Sequence, residues 1–340
     1  MSTDIFNIKT EADFQAKCLE TFRYHYENVE VYRKFVDYLK INPLKINKVK
    51  EIPFLPIEMF KNHLVLDNNE PNRFFQSSGT TQIQTRSKHF VTDFSLYEVS
   101  IYRSFEQFIG KPEDYIFLGL LPNYSENQHS SLIYMVDFLM KKSSKPENGY
   151  FLYNHAELLE LLQKLGDKKV ILFGVSFALL DLLDTIESLN LSISQSLNLT
   201  IIETGGMKGR KEEMTKDELL KILKIGFGTE RIFSEYSMTE LLSQAYSLGN
   251  NEYSCPNWMR ILIRNTEDPF SYVENGKTGA INIIDLANVH SCSFIATQDL
   301  GKITNDFEIA SSTSFLRNER FQVLGRIDHS DIRGCSLLVS

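Results

Sequence analysis

The sequence predicts an α/β fold with a largely parallel sheet and a smaller β-rich part towards its C-terminus. Between Tyr115 and Thr239, short apolar runs alternate with stretches of helical periodicity, a pattern typical of parallel strands covered by helices. In the last third, the apolar runs are separated by turns such as Asn275-Gly276-Lys277, which favours antiparallel strands. Hydrophobic residues make up 42% and charged residues 24% of the 340-residue chain, as in ordinary globular proteins.

The expected elements follow in chain order. The stretch from Asp13 to Leu39 has near-helical apolar spacing and predicts two amphipathic helices with a break near Asn28. Two prolines between Ile52 and Ile57 exclude a regular helix there. Strands are expected at Tyr115 to Leu121, Val170 to Phe173, Leu199 to Glu203, Arg231 to Ser234, Arg260 to Ile263, Ala280 to Ile284 and Phe294 to Thr297. Helices are expected at Ser131 to Met140, at Phe177 to Leu183 after a turn at Gly174, at Asp217 to Leu223, and from Thr239.

Charge and cysteine content narrow the function classes. The net charge is −8, and the densest basic run, Lys208 to Lys216, contains two glutamates, so no nucleic-acid partner is expected. No apolar run approaches the ~20 residues of a membrane span, and the N-terminus lacks a signal-peptide pattern. The four widely spaced cysteines predict reduced thiols and a soluble, cytoplasmic protein: Cys18, Cys255, Cys292 and Cys335.

The first segment that could carry chemistry is Ser77-Ser78-Gly79-Thr80-Thr81. Its hydroxyls and backbone N–H groups can donate to phosphate oxygens, and Gly79 allows close approach of a ligand because it has no Cβ. No Gly-Lys-Ser/Thr follows, so the segment is not a Walker P-loop. Taken alone, it is nearly as consistent with a polar surface turn.

The second segment is Tyr236-Ser237-Met238-Thr239-Glu240, at an expected strand-to-helix junction. Tyr236 offers a flat ring for a base, Thr239 a hydroxyl for a phosphate, and Glu240 a hard oxygen ligand for nucleotide-bound Mg²⁺. The alternative is a capping box with Ser237 as helix N-cap and Glu240 three residues later. That alternative leaves Tyr236 and Thr239 unexplained.

Two further segments lie near the C-terminus. Thr297-Gln298-Asp299 is expected just after a strand, and Gly325-Arg326-Ile327-Asp328 follows it. An Asp at a strand end can accept hydrogen bonds from both ribose hydroxyls. Either segment alone is weak, because both are common turn sequences.

In this order, the four segments resemble the adenylate-forming superfamily of acyl-CoA synthetases and adenylation domains. Ser77 to Thr81 resembles its phosphate loop, and Gly205-Gly206-Met207 its adenine-side Gly-Gly segment. Tyr236 to Glu240 is similar to its Tyr-Gly-x-Thr-Glu motif, with Ser in place of Gly. Thr297 to Asp299 is similar to its Thr-Gly-Asp motif, with Gln in place of Gly, and Gly325 to Asp328 resembles its interdomain hinge.

This resemblance implies that ATP and Mg²⁺ bind the chain. Ser77 to Thr81 and Thr239 would hold phosphate oxygens, Tyr236 would stack on adenine, and Glu240 would hold Mg²⁺. Ser237 and Met238, the neighbours of Tyr236, would also belong to the cofactor site. Asp299 and Arg326 would fix the ribose.

A narrower resemblance is to the acyl-protein synthetase family, LuxE type, of the bacterial luminescence fatty-acid reductase system. It is carried by Ile52 to Ile57 with Phe60-Lys61, Phe75 to Thr81, His89, Tyr97, Arg103-Ser104-Phe105, Thr204 to Gly209, and Ile332 to Ser336. The resemblance implies that a fatty acid is activated as acyl-AMP and then held as a thioester on Cys335, for delivery to an acyl-accepting or reductase partner. A thiolate suits this step, and Arg333 lies two residues away.

The resemblance also implies a domain organisation. Residues 1–325 would form the acyl-adenylating core, with the β-rich subdomain at about 255–325, and residues 326–340 a hinge and short tail. The small C-terminal domain of the superfamily, whose lysine helps to form the adenylate, is expected to be absent or vestigial. Mg²⁺, Lys88, Lys208 or a partner subunit remain open as the replacing cation.

Three alternative functions and one alternative metal site remain. An acyl- or aryl-CoA ligase would use coenzyme A as acceptor in place of Cys335, and a non-catalytic acyl- or nucleotide-binding protein would keep only the fold. Gly174-Val175-Ser176-Phe177-Ala178 nearly matches a nucleophile elbow, so Ser176 could serve a thioesterase, although the last Gly and a later acid–His pair are missing. A zinc site would use Cys255, His290 and Cys292, at a spacing that matches no familiar structural site.

Overall fold

The computed structural model describes residues 3–71, 73–78, 86–122, 125, 127–191, 197–205, 214–305 and 319–327. The α-helices within these ranges are α1 (Glu11–Asn28), α2 (Glu30–Tyr38), α3 (Met59–Asn62), α4 (Phe94–Phe108), α5 (Ser131–Ser143), α6 (His155–Lys164), α7 (Ser176–Ser188) and α8 (Lys216–Phe227). Short 3₁₀ helices occur at Thr3–Asn7, Pro43–Lys45, Val49–Glu51 and Pro112–Asp114.

The strands group into one large and one small sheet. They are β1 (Leu55–Pro56), β2 (Arg73–Gln76), β3 (Lys88–Val91), β4 (Ile116–Leu120), β5 (Gly149–Tyr150), β6 (Lys169–Val175), β7 (Asn198–Thr204), β8 (Ile232–Tyr236), β9 (Ala245–Ser247), β10 (Tyr253–Ser254), β11 (Met259–Arg264), β12 (Gly279–Asp285), β13 (Phe294–Asn305) and β14 (Arg320–Arg326). The large sheet has twelve strands in the order β11-β12-β13-β14-β10-β9-β8-β7-β6-β4-β5, with β1 added beside β13. Strands β2 and β3 form a two-stranded sheet of their own.

The sheet changes character at β8. On one side of β8, all neighbouring strands are parallel, in the order β5, β4, β6, β7 and β8. On the other side, neighbouring strands are antiparallel along the order β8, β9, β10, β14, β13, β12 and β11. The predicted α/β class with a largely parallel first part is therefore confirmed. The antiparallel strands of the last third join the same sheet, and the division of the chain into domains stays a prediction.

The parallel half is buried on both faces. Every residue of β4 is buried, and β6 is buried from Val170 onwards, which explains why these strands read as continuous apolar runs in the sequence. Helices α5, α7 and α8 pack on β4, β6 and β8. Helix α8 begins with a capping box, because the Thr215 hydroxyl accepts from the Glu218 N–H while the Glu218 carboxylate accepts from the Thr215 N–H.

Two local predictions were wrong. Gly174 does not turn the chain, because β6 continues through it to Val175; its lack of a side chain instead permits close packing, since a Cβ would lie 3.0 Å from Leu179 and 3.2 Å from Leu120. No helix begins at Thr239: the chain turns there and returns as β9, antiparallel to β8. The capping-box alternative for Ser237 and Glu240 falls with that helix.

The N-terminal prediction of two helices is confirmed. Helix α1 ends at Asn28, and α2 begins at Glu30 after the buried Val29, which adopts an extended conformation. Thr10 caps α1 by accepting from the Asp13 N–H at 3.1 Å. No helix in the described part of the chain is long and apolar enough to cross a membrane.

Gly301 offers a test of the β13–β14 pairing. A Cβ at Gly301 would lie 2.5 Å from the Gln322 carbonyl oxygen and 2.7 Å from Ile281, so Gly301→Ala must push β14 away. We expect the free energy of unfolding to fall by roughly 1–3 kcal/mol, measured by urea denaturation. Lys302→Ala, on the next and partly exposed residue, should change it by less than about 0.5 kcal/mol. Equal stability of the two variants would contradict this packing.

Candidate functional site

The candidate site lies where the parallel strands end. The register pairs Val175 with Thr204, and Thr204 with Glu235, so the carboxyl ends of β6, β7 and β8 meet at one edge of the sheet. Ser176, Gly205 and Ser237 follow these strands directly. Ligands of open α/β sheets bind outside this edge, which makes it the expected place for a nucleotide.

Tyr236, Asp299 and Arg326 come together at this edge. The Tyr236 hydroxyl donates to Asp299 Oδ2 at 2.7 Å, and Arg326 Nε lies 3.3 Å from Asp299 Oδ1. The pairing of β13 with β14 sets Asp299 opposite Arg326. Asp299 therefore lies within a strand, and the prediction that it follows one was wrong. The Arg326 side chain is 83% exposed, so its guanidinium can reach a ligand as well as Asp299.

The surroundings of Tyr236 keep its phenol protonated. Burial, and then the negative charge of Asp299, raise the pKa of Tyr236 well above its ordinary value. Its ring packs edge-on against Tyr253 and Phe321, with centroid distances of 5.9 and 5.7 Å. Tyr236 is therefore a fixed donor to Asp299, with one part of its ring held by other aromatic side chains.

Ser77 stands at the base of the β2–β3 hairpin, whose described residues are 73–78 and 86–91. The Ser77 N–H donates to the Ser87 carbonyl at 3.1 Å, and the Ser87 N–H donates to Ser77 Oγ at 3.1 Å. Ser78 is exposed. The rest of the predicted phosphate loop, Gly79, Thr80 and Thr81, lies outside the described residues.

Strand β3 contacts the 239–240 turn. The His89 ring bonds the Thr239 carbonyl at 3.0 Å and the Ser291 hydroxyl at 2.8 Å. The Ser87 hydroxyl lies close enough to the Glu240 carboxylate to lower its pKa. His89 entered the family resemblance, but the sequence assigned no role to it, to Ser87 or to Ser291. Nothing in their spacing could have shown these contacts, because they join segments about 150 to 200 residues apart.

The chain from residue 240 to 243 is held by Asp285, another residue that the sequence did not single out. Its carboxylate accepts from the N–H groups of Leu242 and Ser243 at 2.8 and 2.9 Å, and from the Ser243 hydroxyl at 2.6 Å. Asn288 adds a bond to the Glu240 carbonyl at 2.7 Å. A polar residue at the end of the apolar strand Ile281 to Ile284 was the available signal.

Glu240 is a suitable ligand for nucleotide-borne Mg²⁺. Burial raises the pKa of Glu240, while the Ser87 hydroxyl and the positive charges of Arg326 and Lys61 lower it in part. Mg²⁺ at nucleotide sites is held by one or two carboxylates plus substrate phosphates, and a single buried carboxylate near Ser87 fits that donor set. Lys61 was not predicted here.

Of the cations left open by the sequence, Lys88 lies on the exposed face of β3. Side chains alternate along a strand, so Lys88 faces away from the side on which Ser87 and His89 contact the turn. Its ammonium lies 5.3 Å from the centre of the Phe74 ring. Lys208 lies outside the described residues, as do Gly206, Met207 and Cys335.

Ser176 does not have the surroundings of a hydrolase nucleophile. It is 1% exposed, and its hydroxyl donates to the buried Glu203 carboxylate and to the Gly205 carbonyl. Glu203 also pairs with Lys216. Burial lowers the pKa of Lys216, but the charges and hydrogen bonds of Glu203 and Tyr253 together raise it above its ordinary value. The hydrogen bonds described for Ser176 involve no imidazole, so the strand–helix junction places Ser176 in a buried polar cluster beside Gly205.

The proposed zinc ligands have other contacts. His290 bonds Asp67 at 2.7 Å, and the buried Cys292 thiol donates to the Phe294 carbonyl at 3.3 Å. Burial raises the pKa of Cys292 to about 12 and that of Cys255 further still. Over the described ranges, no group of three or more His, Cys, Asp or Glu side chains could hold a metal ion.

Comparison with known families gives one match over most of the chain. The family model described as "Acyl-protein synthetase, LuxE" matches residues 4–102 and 128–340. No curated protein sequence matches the chain.

Solved structures of adenylate-forming ligases share the fold. An open conformation of 2-hydroxyisobutyryl-CoA ligase in complex with 2-HIB-AMP and CoA is similar with a TM-score of 0.72 and 12% identity, over 94% of this chain and 72% of the ligase. ATP-bound MatB from Rhodopseudomonas palustris is similar with a TM-score of 0.55 and 14% identity, over 77% of this chain and 49% of MatB. The predicted large-domain architecture of adenylate-forming enzymes is thereby confirmed.

The buried ionisable groups around the site predict two opposing effects of pH on stability. Burial lowers the pKa of His25 and His89 from 6.5 to about 4, so only the unfolded chain binds their protons in this window, and stability rises with pH. Burial raises the pKa of Asp285 from 3.8 to about 6, so the folded chain retains its proton in that window, and stability falls with pH.

Asp285→Asn removes the contribution of Asp285 to the second effect and leaves the first. We therefore expect the free energy of unfolding to rise more steeply with pH between about 4 and 6 in this variant than in the wild type, whatever its absolute stability. Urea denaturation at a series of pH values measures the slope, with the exposed Asp167→Asn as control. The idea fails if Asp285→Asn and Asp167→Asn give the same slope.

Proposed function

We propose that this chain, which belongs to the acyl-protein synthetase family, LuxE, activates a fatty acid and then carries the acyl group as a thioester on Cys335. The chemistry of the family is the ATP-dependent activation of a carboxylic acid as acyl-AMP by an AMP-forming acid–thiol ligase. The observation that carries this proposal is the meeting of Tyr236, Asp299 and Arg326 at the carboxyl edge of the sheet. Each of these residues lies in a different one of the sequence motifs that carry the resemblance.

In the first half-reaction, a carboxylate oxygen of the acid attacks the α-phosphorus of ATP. The bond from that phosphorus to the bridging oxygen breaks, and pyrophosphate leaves with the electron pair. Asp299 would accept hydrogen bonds from the ribose hydroxyls with the lone pairs that Tyr236 and Arg326 leave unused. Tyr236 would present the open part of its ring to adenine, next to Gly205, Gly206 and Met207.

Phosphate oxygens would be held by hydroxyl and amide groups of Ser77 to Thr81 and by the Thr239 hydroxyl, an electrostatic role that stabilises the charge of the transition state. Mg²⁺, when bound by Glu240 and the phosphates, supplies further neutralisation of that charge. Arg326 and Lys61 are the described cations whose charges act on Glu240, and they are candidates for the cation that the sequence left unassigned.

In the second half-reaction, the Cys335 thiolate attacks the acyl carbonyl carbon, the C–O bond to AMP breaks, and AMP leaves with the electron pair. Cys335 lies outside the described residues, so this assignment rests on family membership. The product is an acyl-protein whose thioester could be passed to a reductase or another acyl-accepting partner. The described cysteines, Cys18, Cys255 and Cys292, are free thiols, which supports a reducing, cytoplasmic location.

A second candidate acceptor is coenzyme A. The similar 2-hydroxyisobutyryl-CoA ligase was solved in complex with 2-HIB-AMP and CoA, so the shared fold is compatible with this acceptor. The two acceptors predict different products from the same acyl-AMP.

Tyr236→Phe tests the first half-reaction. Loss of the hydroxyl removes one donor from the Asp299 carboxylate and frees it to turn away from the ribose. We expect the KM for ATP in ATP–pyrophosphate exchange to rise roughly tenfold, as a hydrogen bond to a charged group is worth about 1.5–3 kcal/mol. Tyr38→Phe, whose ring is 85% exposed, is the matched control. An unchanged KM in Tyr236→Phe would remove Tyr236 from the nucleotide site.

Intact-mass spectrometry tests the second half-reaction. Incubation with ATP, Mg²⁺ and a panel of acids should add one acyl group to the wild type and none to Cys335→Ala, while pyrophosphate exchange continues in both. Cys255→Ala should still be acylated. Turnover by Cys335→Ala that needs coenzyme A and equals that of the wild type would instead favour the CoA ligase.

A further inference from the structure

The β2–β3 hairpin is attached to the site through one face of β3. Strands β2 and β3 pair with each other in a separate two-stranded sheet, and such a pair is marginally stable unless it packs on something else. His89 and Val91 of β3 are buried, as is Ser87 just before it, whereas Lys88 is exposed. The buried face of β3 is therefore the side that meets the rest of the protein.

The His89 ring uses both nitrogens on this face. A carbonyl oxygen can only accept, so the Nδ1 that lies 3.0 Å from the Thr239 carbonyl carries the proton. Burial lowers the pKa of His89 to about 4, so the ring is neutral at physiological pH, and Nε2 accepts from the Ser291 hydroxyl at 2.8 Å. The ring also packs edge-on against Phe60 at 5.7 Å. These contacts leave His89 one tautomer and one orientation.

Ser87 makes the second connection two residues earlier. Its backbone is bonded to Ser77 in both directions, at the base of the hairpin, and its hydroxyl lies close enough to the Glu240 carboxylate to lower its pKa. The strand that follows the predicted phosphate loop thus contacts two successive residues of the 239–240 turn: Thr239 through its carbonyl and Glu240 through its side chain.

We propose that His89 is a positioning residue that locks the β2–β3 hairpin to the 239–240 turn, so that the two phosphate-binding segments of the site keep one relative position. This inference rests on the proposed function for its catalytic consequence, because Thr239 and Glu240 act on phosphate and Mg²⁺ there. His89 itself touches the turn and not the substrate. Its loss should therefore lower kcat by misplacing Thr239 and Glu240, while the KM for ATP, which depends on the ribose contacts of Asp299, changes less.

The chain offers a matched control in His25. This histidine is also fully buried and has its pKa lowered to about 4, and it bonds the Val289 carbonyl at 2.9 Å, but its described hydrogen bonds do not reach the 239–240 turn. His89→Phe and His25→Phe each remove a buried imidazole of the same kind. A merely structural role for His89 would make the two variants alike in activity per folded molecule.

The test compares His89→Phe, His89→Asn and His25→Phe by ATP–pyrophosphate exchange under conditions in which circular dichroism shows each to be folded. We expect a ten- to hundredfold fall in kcat for His89→Phe. His89→Asn should recover most of kcat, because the amide N–H can replace the Nδ1 donor to Thr239. His25→Phe should stay within about threefold of the wild type. Equal kcat for His89→Phe and His25→Phe would overturn the proposal.

Hydrogen–deuterium exchange provides a readout that does not depend on activity. In His89→Phe, amides in residues 86–91 and 239–243 should both lose protection, whereas in His25→Phe neither segment should. If the wild type showed no pyrophosphate exchange, the proposed function would fail while this coupling could still be measured. Loss of protection in the hairpin with an unchanged turn would show that His89 does not join them.

Discussion

The reversal of the chain after β8 is the feature on which the site depends, and a single buried carboxylate holds it. Asp285, at the end of β12, accepts two backbone N–H groups and one hydroxyl from Leu242 and Ser243, and a fourth bond from the Ala287 N–H. These donors would be buried without partners if the carboxylate were absent, at a cost of about 1–3 kcal/mol each. The turn that carries Thr239 and Glu240 is therefore anchored from the antiparallel half of the sheet.

The junction between the two halves of the sheet also explains why the site lies where it does. The carboxyl ends of the parallel strands β6, β7 and β8 lie at one edge of the sheet. Asp299 and Arg326, on the antiparallel strands β13 and β14, lie at the same edge. Tyr236, the last residue of β8, joins the two through its bond to Asp299. A nucleotide bound here would contact both halves, so the relative position of the halves sets the geometry of the site.

Two buried carboxylates lie beneath this edge, and one of them is paired with a cation. Glu203 is fully buried and bonds Ser176 and Lys216, while the buried Glu235 accepts from the Thr204 hydroxyl at 2.5 Å. An unpaired carboxylate at this depth would be very costly, so removal of Lys216 alone would leave Glu203 uncompensated. Burial raises the pKa of Glu235 to about 6, which shows how strongly the surroundings oppose its charge. Within this cluster, the Ser176 hydroxyl donates to the Gly205 carbonyl and stabilises the chain there.

The sequence by itself determined the class of the fold and the segments of the site. Continuous apolar runs such as Ile116–Leu120 can be buried on both faces only in a covered parallel sheet, and the ordered motifs at Ser77, Tyr236, Asp299 and Arg326 indicated nucleotide chemistry. The local sequence pattern gave a wrong prediction after Tyr236: the structure has a turn followed by β9 where a helix was expected. The reason is physical: the bonds from Asp285, more than forty residues away, outweigh local propensity.

Only the tertiary structure decided how those segments act together. The contacts that assemble the site are all long-range. Asp299 contacts both Tyr236 and Arg326, and His89 and Ser87 contact the 239–240 turn. The charge of Lys61 acts on Glu240. No periodicity or spacing encodes a bond between residues 150 positions apart, because such a bond exists only once the sheet has brought both strands to one edge. The chemistry can be read from residue types, whereas its geometry depends on the packing of the whole sheet.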